Sequence, residues 1–228
     1  MSTTGTSTGP RGPYRTGVRR KAQIVDAAWA IFARRGYATS SLREIADAVG
    51  VTTAALLRHF TSKEELLVAT LERWEEGTHE LSIRTDRGDG LDYFLTFPAL
   101  MSYHVQHPGL IELFLTICTE TSDPDHPARA WVAARYAAIV REGVAQLHHA
   151  AHLGLTRAMT DAEAEAEVRA LFAMMDGLEL QWLADPRLDL VRQFEQAFTI
   201  TLQRWGVAEA VWQTVSVGAR SVLPPAIR

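Results

Sequence analysis

The sequence predicts an all-α protein in two parts: a small N-terminal three-helix domain carrying a helix-turn-helix, and a larger helical domain behind it. Three observations lead there. Apolar residues recur at three- and four-residue spacing along the long segments, and from Leu91 onward no two-residue strand alternation appears. Glycines and prolines stand where those periodic segments stop. Charge is divided: residues 1–70 hold ten Lys+Arg against five Asp+Glu, and residues 71–228 hold thirteen against twenty-two, on a chain of net charge −4. A basic N-terminal third on an acidic body is the asymmetry of a protein in which one part meets phosphate and the rest is held away from it.

Residues 1–16 are Gly, Ser, Thr and Pro with almost nothing apolar, and read as a disordered tail. Arg11, Arg15, Arg19, Arg20 and Lys21 crowd its end. They suit either a phosphate-tracking arm or a solvated tail, and the solvated reading is preferred for Arg11 and Arg15. A DNA-binding domain is expected over 17–62. Its first helix spans about Gly17 to Arg35, with Ile24, Ala27, Ala28, Ile31 and Phe32 as one stripe and Gly36 just past its end. Tyr37 then either packs on that core or offers its hydroxyl to a phosphate.

The stretch from Ser41 to Lys63 reads as two short helices about a glycine turn, a helix-turn-helix over about 40–59. Ser41 with Glu44 makes a capping box, and Leu42, Ile45, Ala46 and Val49 share one face. Gly50 supplies the positive φ of the turn and Thr52 caps the second helix. That helix has only Leu56 and Phe60 as large residues on one face, and its free face is small or polar, as suits a helix entering a major groove. Taken alone, the stretch also fits an ordinary helical hairpin.

A linking helix over 63–77 enters the C-terminal domain, 63–228; Leu66, Leu67, Ala69, Thr70, Leu71 and Trp74 cover more than one stripe on it, as on a helix buried between two bodies. Helices follow over Leu91–Val105, over the nearly all-apolar Leu110–Thr119, and from Pro127 or Ala128 to His152. Thr160 and Glu163 form a second capping box, opening a helix to Ala184, and another runs from Leu188 to Trp205. The apolar faces of 161–184 and 188–205 are broad: Val168, Leu171, Phe172, Met175, Leu178, Leu180 and Leu183 on one, Leu190, Val191, Phe194, Phe198, Ile200, Leu202 and Trp205 on the other. A second buried face is expected, supplied by self-pairing into a homodimeric four-helix bundle; deeper burial within a monomer is the competing explanation.

Other classes are weakly supported. No phosphate-cradling glycine loop, nucleophile–base constellation or paired carboxylates with an evident role point to an enzyme, and no cofactor is expected. An architectural DNA protein would be basic throughout. His148 and His152 share a helix face at four-residue spacing, but nothing nearby in sequence completes a tetrahedral set, so no metal is expected at His148, His149 and His152; His104 and His107 are weaker candidates still. Cys118, the single cysteine, sits in an apolar run and reads as an inert thiol. No apolar run reaches the roughly 18 residues of a membrane span, and no secretory leader is evident, so no membrane partner and a cytoplasmic location are expected.

From Arg20 to Leu67 the chain resembles the N-terminal domain of TetR-type transcriptional regulators, through Ile24, Ala27-Ala28, Phe32, Gly36-Tyr37, Ile45-Ala46, Gly50-Val51, Leu56, His59-Phe60, Lys63-Glu64 and Leu66-Leu67 in register. The segment Asp176–Pro186, DGLELQWLADP, is similar to part of the dimer-forming helix of many members. The resemblance implies a homodimer that binds double-stranded operator DNA, with a small-molecule effector in the C-terminal domain whose binding moves the linking helix and separates the recognition helices. A repressor is the expected kind; a ligand-responsive activator, or a regulator without an effector, are the alternatives. Position by position it implies that Ser41 caps its helix and meets a phosphate, that Arg43 reaches a base edge, that Thr52, Thr53, Ala55, Arg58 and His59 form the exposed face, and that Lys63 meets a phosphate. Leu57 stands where the family usually has a backbone-contacting tyrosine, so Arg43, Thr53 and Arg58 must carry more of the reading. A mostly apolar effector pocket is expected among Trp74, Phe97, Met101, His104, Phe114, Trp131, Tyr136 and Met175, with Glu112, Glu120 or Asp176 placed to select a cation.

Overall fold

A computed structural model describes residues 13–83 and 88–211, with the side chains of 13–16, 74 and 76–83 outside the description. Among the described residues every regular element is a helix. They fall into two compact units, residues up to Thr70 and residues from Leu71.

The N-terminal unit holds α1 (Pro13–Arg35), α2 (Leu42–Ala48), α3 (Thr53–Leu57) and the first turns of α4 (Lys63–Ile83). Ile24, Ala28, Ile31 and Phe32 of α1 are buried with Ile45, Ala46, Leu56, Phe60, Leu66 and Leu67. Helix α1 begins at Pro13 rather than at Gly17. Proline has φ preset and no N–H to satisfy, which suits a first helical position. Residues 1–12, Arg11 among them, lie outside the described residues, as does the side chain of Arg15. Gly36 and Gly50 take the positive φ values, 79° and 67°, expected at the two turns. Ser41 accepts the Glu44 N–H at 3.2 Å, but the box does not close. The Glu44 carboxylate instead meets the Arg35 guanidinium of α1, because a charge-assisted bond outcompetes a neutral N–H.

The unit boundary falls inside α4 rather than at its start. The first turn of α4 is tied to the loop after α1: the Tyr37 hydroxyl donates to Glu64 at 3.1 Å and the Lys63 ammonium to the Tyr37 carbonyl. The helix also runs past Gly77 to Ile83, since an interior glycine costs about 1 kcal/mol without breaking a helix.

The C-terminal unit comprises the rest of α4 with α5 (Leu91–Leu95), α6 (Phe97–Gln106), α7 (Pro108–Glu120), α8 (Arg129–His152), α9 (Asp161–Ala184) and α10 (Leu190–Arg204). The single helix expected over Leu91–Val105 is two, divided at Thr96. Pro98 has no N–H for the Phe94 carbonyl, and that carbonyl is taken by the Thr96 N–H in a tighter turn. Helix α10 starts at Leu190 because Asp189 caps it, accepting the Arg192 N–H at 3.1 Å. Thr160 and Glu163 do close their box on α9.

The core gathers Phe94, Phe97 and Met101 with Leu147, Val168, Leu171, Met175, Phe194, Phe198, Leu202 and Trp205. Trp205 is fully buried, and its indole N–H donates to Glu167 at 2.9 Å. On α5 and α8 the backbones nearly touch: a Cβ added to Gly90 would lie 2.4 Å from the Gln146 carbonyl oxygen. Leu180 on α9 and Ile200 on α10 remain 48% and 62% exposed, outside this core. Cys118 is half-buried, and burial pushes its thiol up to about 11. No described helix is long and apolar enough to cross a membrane.

Candidate DNA-reading face and effector cavity

Thr52 caps α3, accepting the Ala55 N–H at 3.1 Å. This fixes the entry of a helix that is regular only to Leu57. Arg58 is its C-cap, and the His59 N–H bonds the Leu56 carbonyl at 2.8 Å, so Arg58 and His59 occupy the tight turn after the helix. Leu56 and Phe60, both fully buried, hold that turn against the core. Thr53, Ala55 and His59 are half-exposed; Thr52 and Arg58 are exposed. Leu57 is 40% exposed, an apolar side chain facing water. No hydrogen bond or ion pair among the described residues holds Arg58. Arg43 extends from α2, its side chain 86% exposed and 3.9 Å from Asp47, too loose to commit the guanidinium. The structure thus puts two arginine forks into solvent beside a capped, mostly small-surfaced helix, one from α2 and one from the turn that ends α3.

Arg20, Lys21 and Lys63, on either side of this motif, are committed within the domain. Arg20 donates to the Val49 carbonyl at 3.3 Å, and the Lys21 ammonium stands 5.1 Å over the Phe60 ring. Lys63 lies 4.3 Å over the Tyr37 ring and donates to the Tyr37 and Ala38 carbonyls; burial draws its ammonium below its ordinary range. Tyr37 itself packs edge-on against Phe32, with ring centroids 5.5 Å apart.

In the C-terminal unit a cavity of about 50 Å³ opens between α6, α7, α8 and α9. Of the residues predicted to line a pocket, it brings together His104, Phe114, Tyr136 and Met175. Phe97 and Met101 do not line it: the core has taken them, at 4% and 0% exposure. Trp131 is set beside Arg135, 5.8 Å from its guanidinium, rather than in the wall. The Trp74 side chain lies outside the described residues. Asp176 lines the cavity, whereas Glu112 is exposed on α7 and Glu120 sits 3.5 Å from His126.

Six lining residues were missed from the sequence: Leu100, Ile111, Arg135, Ile139, Phe172 and Glu179. The signal was present on α9, where Phe172, Met175, Asp176 and Glu179 follow the three- and four-residue spacing of one face. The polar wall is organised in pairs. The Tyr136 hydroxyl donates to Asp176 Oδ2 at 2.7 Å. His104 Nδ1 lies 2.5 Å from Glu179 Oε1, both side chains buried. Arg135 donates to Glu75 of α4 at 2.9 Å and covers the Phe114 ring at 5.3 Å. Burial raises the Asp176 carboxyl to about 6, outweighing the Tyr136 hydrogen bond and the Arg135 and His104 charges that lower it. Desolvation and the neighbouring Asp176 carboxylate likewise push the Tyr136 hydroxyl well above its ordinary range. Elsewhere His149 Nε2 donates to the Gly88 carbonyl at 2.9 Å, and His148 stands 3.6 Å from Asp161.

The Asp176 shift makes a stability prediction. A carboxyl whose folded pKa lies above its unfolded value binds its proton more tightly when folded, so its contribution is most favourable below pH 4 and is lost as pH rises through about 6. The difference between 3.8 and about 6 corresponds to on the order of 3 kcal/mol of cost at neutral pH. Asp176→Asn keeps an acceptor for Tyr136 and removes the charge. It is expected to raise the melting temperature at pH 7.5 and to leave it nearly unchanged at pH 4, as thermal unfolding at the two pH values would show.

A capped helix-turn-helix presenting exposed arginines, in a chain whose other unit holds a largely apolar cavity with a few polar groups, is the arrangement of a helix-turn-helix transcriptional regulator. Residues 24–70 match the family model for bacterial regulatory proteins of the tetR family. The regulator TtgR of Pseudomonas putida is 27% identical over 77% of this chain and 86% of its own. SmeT, described as the repressor of the Stenotrophomonas maltophilia multidrug efflux pump SmeDEF, was solved with triclosan; that structure superposes with a TM-score of 0.71 at 23% identity, over 91% of this chain and 95% of that one. A regulator structure from Saccharomonospora viridis in complex with choline gives 0.68 at 22% identity, over 82% and 96%. The N-terminal unit thus carries a tetR-type regulatory domain over residues 24–70.

Proposed function

We propose that the protein is a homodimeric repressor that leaves its operator when a small molecule enters the cavity of the C-terminal unit. The observation that carries the DNA half of this reading is the pair of solvent-facing guanidinium groups, Arg43 and Arg58, on a capped helix-turn-helix. Arginine to a guanine edge is the commonest specific base contact. Thr53, Ala55 and His59 supply the small and polar surface beside it, and Leu57 offers apolar contact to a thymine methyl in place of a phosphate hydrogen bond. Ser41 keeps its hydroxyl proton for a phosphate while its oxygen caps α2. Lys63, spread over the Tyr37 and Ala38 carbonyls, meets phosphate only through its remaining hydrogen.

Pairing through 161–184 and 188–205 is supported by the exposed Leu180 and Ile200, which leave an apolar stripe that the monomer core does not use. The effector half is supported by the relatives solved with choline and triclosan, and by one link in this chain: cavity-lining Arg135 is bonded to Glu75 on α4, the helix that continues into the DNA-binding unit. Emptying a nearly full operator requires an effector that prefers the released state by about 10⁴.

The test is a titration of the dimer onto its own promoter region and onto random DNA at one salt concentration, before and after effector. Specific binding abolished by the effector is expected; equal affinity for both DNAs refutes the reading. Glu75→Gln is expected to keep operator affinity and effector binding while weakening release by the effector, which the same titration reads.

A further inference from the structure

The cavity carries a charge pattern that selects its ligand, and the inference rests on the reading that this cavity is the effector site. Its ionisable lining residues are Arg135, His104, Glu179 and Asp176. Arg135 is compensated by Glu75, and His104 and Glu179 face each other. Asp176 receives only a neutral hydroxyl, that of Tyr136. With His104 as a neutral ring, Arg135 is already paired with Glu75, and the Asp176 and Glu179 carboxylates meet only neutral donors. His104 supplies a second, independent feature. In the neutral ring, with the Glu179 carboxylate as acceptor, Nδ1 carries the hydrogen and Nε2 presents a lone pair. That Nε2 is buried without a hydrogen-bond partner among the described residues, on a side chain only 6% exposed. A buried acceptor left open in this way is costly until something donates to it.

An uncompensated carboxylate and an open imidazole nitrogen in one cavity both ask for N–H donors on a cation. The neighbouring surface is aromatic, from Phe114, Phe172 and Tyr136. Aromatic faces stabilise an ammonium and pack the apolar group attached to it. At about 50 Å³ the space holds a head group rather than a drug-sized body. We propose that the effector is a protonated primary amine on an aromatic body, its ammonium N–H groups donating to the Asp176 carboxylate and to His104 Nε2.

The experiment uses the full-length protein and four probes sharing one body: phenethylamine, its N-trimethyl quaternary analogue, 2-phenylethanol and phenylacetate. Each is titrated calorimetrically at pH 7.5 into the wild type, Asp176→Asn and His104→Phe, with melting curves confirming that each variant folds. Phenethylamine is expected to bind at least about tenfold more tightly than the alcohol and the quaternary ion, the latter being a cation without N–H donors. Phenylacetate is expected to bind weakest. Asp176→Asn is expected to erase the preference for amine over alcohol, and His104→Phe the preference for the primary over the quaternary cation. Alcohol or phenylacetate binding as tightly as the amine overturns the amine class while leaving effector control intact. Binding by none of the four overturns it as well. Asp176-dependent amine binding that leaves operator affinity unchanged upholds the ligand class and instead removes this cavity from control of DNA release.

Discussion

Gly90→Ala is expected to lower the melting temperature of the C-terminal unit by about 10 °C, a penalty of roughly 2–6 kcal/mol at about 2–4 °C per kcal/mol. Two costs combine. Gly90 sits at φ 76°, ψ −32°, a conformation that a Cβ makes costly by about 1–3 kcal/mol. The new methyl would also lie 2.4 Å from the Gln146 carbonyl oxygen and 2.9 Å from the Ala150 nitrogen. Both are backbone atoms inside α8, so no side chain can turn aside, and overpacking of this kind costs about 1–3 kcal/mol more. Asp89 cannot hold the loop alone, although its carboxylate caps α5 by accepting the Leu91 and Asp92 N–H groups at 3.0 and 2.9 Å. Calorimetric melting reads the effect directly. A variant that melts with the wild type would show that α5 is free to move off α8.

Arg58→Ala is expected to weaken operator binding by about 1–3 kcal/mol, near tenfold or more, and to relax the base preference at one position of each half-site. Arg58 is exposed, bonds to nothing else among the described residues, and follows α3 as its C-cap, so its removal leaves the folded domain as it was. Surface changes of that kind stay within about 0.5 kcal/mol of stability. The loss must therefore appear in operator binding alone. Fluorescence anisotropy against operator and random DNA at one salt concentration separates specific reading from phosphate attraction. Unchanged operator affinity would move the reading to Arg43.

The N-terminal unit was more legible in the sequence than the C-terminal one, for a physical reason. Helix stripes, a capping serine or threonine and two turn glycines are local signals, and in this unit Ser41, Gly36, Gly50 and Thr52 all behave as their residue types predict. What escaped were choices between partners. Nothing in the spacing tells whether Glu44 closes a capping box or reaches Arg35, or whether Lys63 points outward or onto Tyr37; the fold decides by what it brings near. The cavity shows the same limit more strongly. An aromatic or methionine at helical spacing is compatible with core or pocket alike, so Phe97 and Met101 could not be told from Phe114 and Met175. Glu179 was hidden because its partner His104 is 75 residues away along the chain. The split of α5 from α6 at Pro98 was readable in principle, since proline's missing N–H is local.

The aromatic seats of Lys21 and Lys63 have a practical side. They are the only two lysines in the sequence, against twenty-one arginines, and both belong to the N-terminal unit. Amine-directed chemistry on lysine, whether dye labelling, cross-linking or coupling to a sensor surface, falls wholly on the half that reads DNA. Capture through these side chains would have to pull an ammonium off Phe60 or Tyr37 and would disturb the motif being measured. Binding assays on this protein are therefore best built with the label or the anchor on the operator fragment.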